Sequence, residues 1–318
     1  GFPNAPVQLS GFLNKLRDLA VYHANTNKFS GSVPEIPTST IKYLYELDIS
    51  NNNHSGPFPT TVLQATNLTF LDIRFNKFNG PVHADVFDLN LDVLFINNNF
   101  FTGDIPSNLG SSPVYYLALA NNYFSGGIPS SIGKSPRLRE VLFLNNKLTG
   151  CLPYELGLVK NLTLFDAGSN QLTGPIPHSI SCLKKLEIFN LASNLFYGPV
   201  PEQVCSLMRL SNLSLSFNYF TQVGPVCMKL IKKKTLDVKM NCVLGLPDQR
   251  SPEECARFFS TPRTCPDERS LTYVPCTGKG AKEEDDHHVA ADDRSSTHRH
   301  HHGGTRRRTY DALHAGNA

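Results

Sequence analysis

The sequence predicts a right-handed α/β solenoid of about ten coils, closed by a cysteine-rich C-terminal cap and followed by a disordered tail. Three observations predict it: an asparagine that recurs every 23 to 25 residues, alternating aliphatic residues before each asparagine, and eight cysteines that all follow residue 150. Repeats of this length stack into elongated proteins in which each coil contacts only its neighbours. We therefore expect one long domain, although 318 residues would suffice for two globular ones.

The repeat follows the pattern L-x-x-L-x-L-x-x-N-x-F-x-G, which is the leucine-rich-repeat signature. The asparagines are Asn27, Asn52, Asn76, Asn99, Asn122, Asn146, Asn170, Asn194, Asn218 and Asn241. Alternating leucines point to one face of a strand, and stacking of the coils buries them. Each asparagine amide is expected to pair with backbone groups of the turn. We expect these residues to build the fold and to carry no chemistry.

Two further positions of the repeat predict its second layer. The phenylalanines form a buried column that His54 is expected to interrupt; its members are Phe29, Phe78, Phe101, Phe124, Phe196 and Phe220. After the glycine most copies continue x-[IV]-P, as at residues 103–106, which is typical of plant extracellular repeats. The proline favours a second short strand before a helical turn on the convex side.

The pattern breaks at both ends of the chain. Residues 8–12 lie inside a repeat with no cysteine before them, so the N-terminal cap is expected to be missing or atypical. We assign residues 1–241 to the solenoid, 242–276 to the cap and 277–318 to the tail. The tail holds seven basic and seven acidic residues and almost nothing aliphatic, which predicts disorder. Its histidines (298, 300, 301 and 302) are expected to have no functional metal, and no cofactor is predicted.

The cysteines indicate an oxidising compartment. Proximity favours the pairs Cys205–Cys227, Cys242–Cys255 and Cys265–Cys276, although sequence alone leaves the connectivity open. Cys151 and Cys182 lie too far apart to pair with each other and are expected to be free buried thiols.

Sequons for N-glycosylation support secretion. They occur at Asn53, Asn67, Asn161 and Asn212, and Asn53 is the poorer acceptor because it lies in a tight turn. The other three are expected to border the ascending side of the sheet. No apolar run is long enough to span a membrane, and the net charge of +3 is too small to predict a nucleic-acid partner.

Several motifs resemble the repeat domain of the plant leucine-rich repeat extensins. They include Asp-Ile-Arg-Phe-Asn at 72–76, Phe-Ile-Asn-Asn-Asn at 95–99 and Asp-Gln-Arg-Ser at 248–251. The ending Pro-Arg-Thr-Cys-Pro at 262–266 is similar to an extensin-less, uncharacterised branch of these plant repeat proteins. The resemblance covers residues 8–276 and implies a cell-wall protein that binds basic, cysteine-rich peptides of the rapid alkalinisation factor type, often as a dimer. Wall polysaccharide is a further expected partner, and covalent anchorage is in doubt because the chain has no Ser-Pro-Pro-Pro-Pro run.

The side chains between the buried leucines are expected to face outward on the concave sheet. Carboxylates and aromatic rings mix there, which suits a basic peptide. The candidate ligand-binding residues are Glu46, Asp48, Phe70, Asp72, Asp92, Phe95, Tyr115, Tyr116, Glu140 and Asp166.

Catalysis is not predicted. The sequence has no G-x-S-x-G, H-E-x-x-H, phosphate loop or dinucleotide fingerprint. The recurring aspartates follow from the repeat, and carboxylates without a cleft are no acid/base pair. Inhibition of a wall-degrading enzyme such as a polygalacturonase, or a structural role in the wall, are the alternative functions.

Overall fold

The structure is a computed structural model that describes residues 18–33, 41–266 and 271–277. The opening segment at 8–12 and the tail from residue 278 onward, with its histidines, lie outside the described residues.

Each coil contributes two short strands that belong to two different layers. In chain order the strands are β1 (Val21–His23), β2 (Ser30–Gly31), β3 (Glu46–Asp48), β4 (Asn53–Gly56), β5 (Phe70–Asp72), β6 (Lys77–Gly80), β7 (Val93–Phe95), β8 (Phe100–Asp104), β9 (Tyr116–Ala118), β10 (Tyr123–Ser125), β11 (Glu140–Leu142), β12 (Thr149–Cys151), β13 (Leu164–Asp166), β14 (Gln171–Gly174), β15 (Ile188–Asn190), β16 (Leu195–Val200), β17 (Asn212–Ser214), β18 (Tyr219–Val223) and β19 (Leu236–Asp237). The odd-numbered strands form one ten-stranded parallel sheet in sequence order. The even-numbered strands form parallel sheets of five and four strands. The predicted leucine-rich-repeat solenoid is therefore confirmed.

Single helical turns connect the two layers on the convex side. The 3₁₀ turns span Thr60–Gln64, Ala84–Asp88, Leu109–Ser111, Ser130–Lys134, Tyr154–Leu158, His178–Cys182 and Pro275–Thr277. The α-helices are α1 (Glu202–Cys205), α2 (Pro225–Lys232) and α3 (Pro252–Phe259). Several turns begin after a proline, which fixes its own φ and ends the second strand. His83 replaces one of these prolines, and its side chain accepts a hydrogen bond from the Asp85 amide instead.

The repeat asparagines join neighbouring coils as the sequence predicts. Asn99 is buried, and its Nδ2 donates to the backbone oxygens of Ile96 (3.1 Å) and of Ile73 in the preceding coil (3.0 Å). Its Oδ1 accepts from the Phe78 amide at 3.0 Å. Backbone groups that the turn would otherwise bury unpaired are thereby satisfied.

The phenylalanine column continues through His54, contrary to the sequence expectation. The imidazole is fully buried and stacks between Phe29 and Phe78, with ring centroids 6.4 and 6.2 Å away and interplanar angles of 19° and 13°. Imidazole has nearly the flat shape of the phenyl ring it replaces, so stacking is preserved. Nδ1 lies 3.3 Å from Gly31 O, whereas Nε2 is buried with no hydrogen-bond partner.

Replacing His54 by phenylalanine is expected to stabilise the protein by about 1 kcal/mol, because it removes an unsatisfied buried nitrogen.

The same residue should make the stability depend on pH. Burial lowers the pKa of His54, and the hydrogen bond to Gly31 raises it by a smaller amount. The folded state therefore holds the proton less tightly than the unfolded chain. Keeping His54 neutral therefore favours the folded state. This contribution is complete above pH ~6.5, the ordinary pKa of histidine, and is lost as the pH falls through the lower pKa of the folded state. Urea unfolding at pH 7.5 and pH 5 should show a smaller pH dependence for H54F; an unchanged dependence would contradict this.

All eight cysteines form disulfides, which corrects two of the sequence predictions. Cys205–Cys227 and Cys242–Cys255 pair as expected. The predicted pair Cys265–Cys276 is wrong, and so is the expectation of free thiols: the bonds are Cys151–Cys265 and Cys182–Cys276. Pairing by proximity fails here because the chain after Cys242 runs backward along the solenoid instead of ending at its last coil.

This returning segment is held by aromatic contacts as well as by disulfides. The ring of Phe258, on α3, lies flat on Tyr219 at 3.5 Å between centroids, and Tyr273 packs edge-on against Tyr154. The Tyr197 hydroxyl donates to Arg263 O at 2.6 Å. Residues 252–266 and 271–277 therefore lie over the side of the solenoid that carries β12 to β18. The domain boundaries themselves remain a prediction.

Candidate functional site

Two columns of side chains point outward from the ten-stranded sheet, on what we call the concave face. Strand register places Glu46, Phe70, Val93, Tyr116, Glu140, Leu164 and Ile188 in the first column. The second column holds Asp48, Asp72, Phe95, Ala118, Leu142, Asp166 and Asn190. Both columns contain the residues that the repeat alignment assigns to them.

A cluster of apolar side chains occupies the middle of the concave face. It is separate from the main core and spans β7 to β15; we call it the apolar patch. Its floor consists of Phe95, Ala118, Ala120, Leu142 and Leu164, which are at most 9% exposed. Its accessible surface consists of the partly buried side chains of Val93, Tyr116, Leu144 and Ile188. Alanine and leucine recur here at positions where neighbouring coils carry aspartate.

Two of the candidate carboxylates, Asp72 and Asp166, are buried and occupied within the chain. Each is 1% exposed. Asp72 Oδ1 accepts from the Arg74 amide, and Arg74 Nε lies 3.1 Å from Asp72 Oδ2. Asp166 Oδ1 accepts from the Gly168 amide at 3.0 Å and from Asn190 Nδ2 at 2.9 Å. Both carboxylates shape the turn that follows the strand, and their burial closes them to a ligand.

Asp92 and Tyr115 lie at the ascending edge of the sheet, in what we call the edge cluster, with Asn90, Arg137 and Arg139. Arg137 Nη1 lies 3.6 Å from Asp92 Oδ1, and the same guanidinium donates from Nε to Pro113 O at 2.8 Å. Arg137 and Arg139 both lie over the Tyr115 ring, at 4.8 and 5.1 Å from its centroid. The cluster therefore brings positive charge to an edge where sequence reasoning expected only acidic and aromatic groups.

The remaining candidates lie on the N-terminal half of the face or on the rim of the apolar patch. Glu46 Oε2 lies 3.0 Å from His23 Nε2, and Asp48 accepts from the Ser50 amide. Phe70 packs edge-on against Phe95 at 6.4 Å, which extends the aromatic surface toward β5. Glu140 and Tyr116 occupy the same column on neighbouring strands. The structure thus brings Phe70, Phe95, Tyr116 and Glu140 together.

Sequence reasoning missed Arg74, which packs over the Phe95 ring at 5.3 Å and neutralises Asp72. It also missed Arg137, whose side chain reaches back over the preceding coil. A signal for Arg74 was available, because the arginine stands two residues after Asp72, at a position where most other repeats carry an uncharged residue. Arg137 gave no such signal, since its contacts lie about one coil away in sequence.

The sequons occupy different edges of the solenoid. Asn67 and Asn161 precede their strands on the ascending side, and their Nδ2 atoms donate to Lys42 O and Pro136 O. Asn212 lies within β17 on the concave face, which corrects the expectation that it borders the sheet. Asn212 is in register with Ile188, so a glycan there would border the C-terminal end of the apolar patch.

No group of three or more His, Cys, Asp or Glu side chains within residues 18–33, 41–266 and 271–277 could hold a metal ion. In the same ranges, no helix combines the length and apolar character needed to cross a membrane.

Comparison with known proteins supports the repeat assignment. A family model described as Leucine Rich Repeat matches residues 90–112 and 161–183. Receptor-like protein 31 of Arabidopsis thaliana is 39% identical over 59 residues, which is 19% of this chain and 7% of that protein. The chain thus contains leucine-rich repeats, and part of it is similar to a plant receptor-like protein.

Solved structures with the same fold include plant receptor ectodomains. A TDR receptor is 33% identical with a TM-score of 0.67, over 72% of this chain and 40% of that one. The Arabidopsis receptor kinase HAESA, solved with the peptide hormone IDA and the co-receptor SERK1, is 29% identical with a TM-score of 0.65, over 72% of this chain and 38% of that one. The chain therefore spans less than half the length of these structures.

Proposed function

We propose that this chain is a non-enzymatic extracellular binding protein whose concave face takes up a peptide. The observation that carries the proposal is the apolar patch. Val93, Tyr116, Leu144 and Ile188 present apolar surface to solvent on a face that the fold does not need to cover. Contiguous exposed apolar surface on a folded protein marks an interaction site.

The arrangement of the patch suits a peptide better than a globular partner. It runs across five neighbouring strands, β7 to β15, with Glu140 inside it between Tyr116 and Leu164 and the edge cluster on its ascending side. An extended peptide laid across these strands would seat one or two apolar side chains on Tyr116 and Leu144. Such central anchors supply most of the free energy in known interfaces, while polar groups around them exclude water.

The class of peptide follows from the charges that the chain leaves on this face. Asp72 and Asp166 are buried and Asp92 lies beside Arg137, whereas Glu46, Asp48 and Glu140 are partly exposed on the concave face. We therefore assign these three carboxylates to a basic ligand. We propose a basic, cysteine-rich peptide of the rapid alkalinisation factor type. The four disulfides support an oxidising compartment, and the cell wall is the proposed location. The complex of HAESA with a peptide hormone supports a peptide ligand for this fold.

The patch can be tested by making it polar. The double variant Tyr116→Ala with Leu144→Lys should weaken binding of a folded basic cysteine-rich peptide at least thirtyfold, about 2 kcal/mol, because it removes the central ring and puts a positive charge against a basic ligand. Both side chains are partly exposed, so the fold should tolerate the change. Titration calorimetry of wild type and variant measures the effect.

The matched control is Leu158→Lys, which puts the same positive charge on an apolar residue of a convex 3₁₀ turn that is 39% exposed. Its affinity should equal that of the wild type. Equal affinity of the double variant would refute the patch as the binding site, and failure of the wild type to bind the peptide at low salt would refute the ligand class.

A further inference from the structure

A groove lies on the side of the solenoid where the strands of the large sheet end in turns, away from the concave face. It has a volume of about 350 Å³ and crosses three coils. The residues that line it and carry the argument are Asn98, Asn121, Asn145, Phe100, Tyr123 and Lys147. None of them belongs to the apolar patch or to the edge cluster.

Two aromatic rings in this groove are unusually exposed. Phe100 and Tyr123 each follow a repeat asparagine directly, and they are 45% and 44% exposed. Their centroids are 6.2 Å apart and their planes differ by 14°. They form a short row of flat apolar surfaces along the solenoid axis. Leaving them in water costs hydrophobic free energy that covering them would recover.

The same position in a later coil shows what such a ring accepts. Tyr219 also follows a repeat asparagine, but the returning C-terminal segment covers it. Phe258 lies flat on its ring, and the Arg250 guanidinium lies 4.3 Å from the ring centroid. Among the residues that the structure describes, no returning segment covers Phe100 or Tyr123 in this way. The position after the repeat asparagine therefore serves as a stacking platform at Tyr219. In the two coils of Phe100 and Tyr123 the same platform is open to solvent.

Side-chain amides form a ladder along the groove. Asn121 Nδ2 donates to Asn98 Oδ1 and Asn145 Nδ2 donates to Asn121 Oδ1, both at 2.9 Å. The three residues have φ between +54° and +56°, a left-handed conformation that asparagine tolerates. At the end of the ladder Asn98 Nδ2 is buried and has no hydrogen-bond partner. A donor in this state is satisfied when a ligand oxygen reaches it.

Positive charge flanks the rings. Lys147 Nζ lies 4.8 Å from the Tyr123 centroid, and Lys77 occupies the position directly before Phe100 in the column. Both lysines are exposed, and neither has a carboxylate partner within the described ranges. An anionic group on a ligand would therefore meet two unpaired ammonium groups, one at each end of the aromatic row.

We propose that this groove binds an oligosaccharide of uronic acid units. The C–H faces of its pyranose rings stack on Phe100 and Tyr123, its hydroxyls exchange hydrogen bonds with the asparagine ladder, and its carboxylates pair with Lys147 and Lys77. This site is independent of the peptide site on the concave face.

The charge of the groove favours an acidic sugar chain over a peptide like the one that covers Tyr219. A peptide with arginine beside its aromatic residue, as in that segment, would be repelled by Lys147.

The test is titration of the full chain at low salt with a galacturonic acid hexamer and, separately, with a neutral glucose hexamer. The acidic hexamer should bind, and Phe100→Ala with Tyr123→Ala should weaken this binding at least tenfold. Lys147→Ala should weaken it severalfold and reduce its dependence on salt. Because these side chains are exposed, the melting temperatures of the variants should match the wild type.

The matched control is Tyr43→Ala with Tyr45→Ala, two rings outside the groove that are 47% and 50% exposed; its affinity should be unchanged. Absence of binding, equal binding of the neutral hexamer, or equal weakening by the control would overturn the proposal. The proposal would also be overturned if the groove variants lost affinity for the basic cysteine-rich peptide and kept affinity for the sugar, since the groove would then be a peptide site. Failure of peptide binding in the Tyr116 and Leu144 variant alone leaves this prediction unaffected.

Discussion

Replacing Cys151 and Cys265 together by serine is expected to lower the free energy of unfolding by about 4 kcal/mol. The bond joins residues 114 apart, but Cys182–Cys276 crosses it, so the shortest loop that it closes runs from 151 to 182 and back from 276 to 265. Closing a loop of roughly 40 residues accounts for the estimate. Urea unfolding should show the loss, and the melting temperature should fall by roughly 10 °C.

The loss should begin in one part of the molecule. Hydrogen exchange should quicken first in α3 and around Tyr273, which the bond holds against the solenoid, and last in β5 to β9. The matched control replaces Cys242 and Cys255 by serine. These cysteines are 13 residues apart, so the loss of unfolding free energy should be smaller, about 3 kcal/mol. Wild-type stability of the Cys151 and Cys265 variant, or uniform exchange along the chain, would contradict this account.

Changing Asn122 to alanine should destabilise the protein by about 3 kcal/mol. Its Oδ1 accepts from the Phe101 amide at 3.0 Å, and its Nδ2 donates to the backbone oxygens of Ile96, Leu119 and Ala120. Ile96 O keeps a second donor, Asn99 Nδ2. The Phe101 amide loses its partner inside the solenoid, and a buried unsatisfied donor costs about 1 to 3 kcal/mol before the cavity is counted.

The comparison for Asn122 is Asn25→Ala, which changes an exposed asparagine whose Nδ2 donates to Thr26 Oγ1 at 3.5 Å. Its change should stay below about 0.5 kcal/mol in the same unfolding experiment. Similar effects at both sites would show that the repeat asparagines contribute little to stability.

The sequence predicts the solenoid well because the same residue pattern occurs in ten successive repeats. The register that places Phe95 beside Ala118, and Ala118 beside Leu142, follows from aligning ten asparagines, and a parallel stack allows few other registers. The same periodicity predicts the second strand and the convex turn of each coil.

Features that join distant parts of the chain are not periodic, and these the sequence could not predict. Cys265 reaches Cys151 only because the segment after Cys242 turns back along the solenoid. Gly174, on which a Cβ would overlap Cys265 Sγ, makes room for that bond. Nothing near Cys151 in sequence signals either fact. The pairing of Asp72 with Arg74 is local in sequence. Whether an aspartate on this face can reach a ligand depends on its burial, which the alternation of inward and outward side chains along a strand does not predict.

The central claim, that the concave apolar patch binds a peptide, is tested most directly by site-specific photo-cross-linking. A photoreactive phenylalanine analogue would replace Tyr116 on the patch, Phe100 in the groove, or Lys134 on the convex side, each in a separate protein. With a basic cysteine-rich peptide present, the account predicts cross-links from position 116 and none from positions 100 or 134. Cross-links from position 100 or 134 with none from 116 would contradict it.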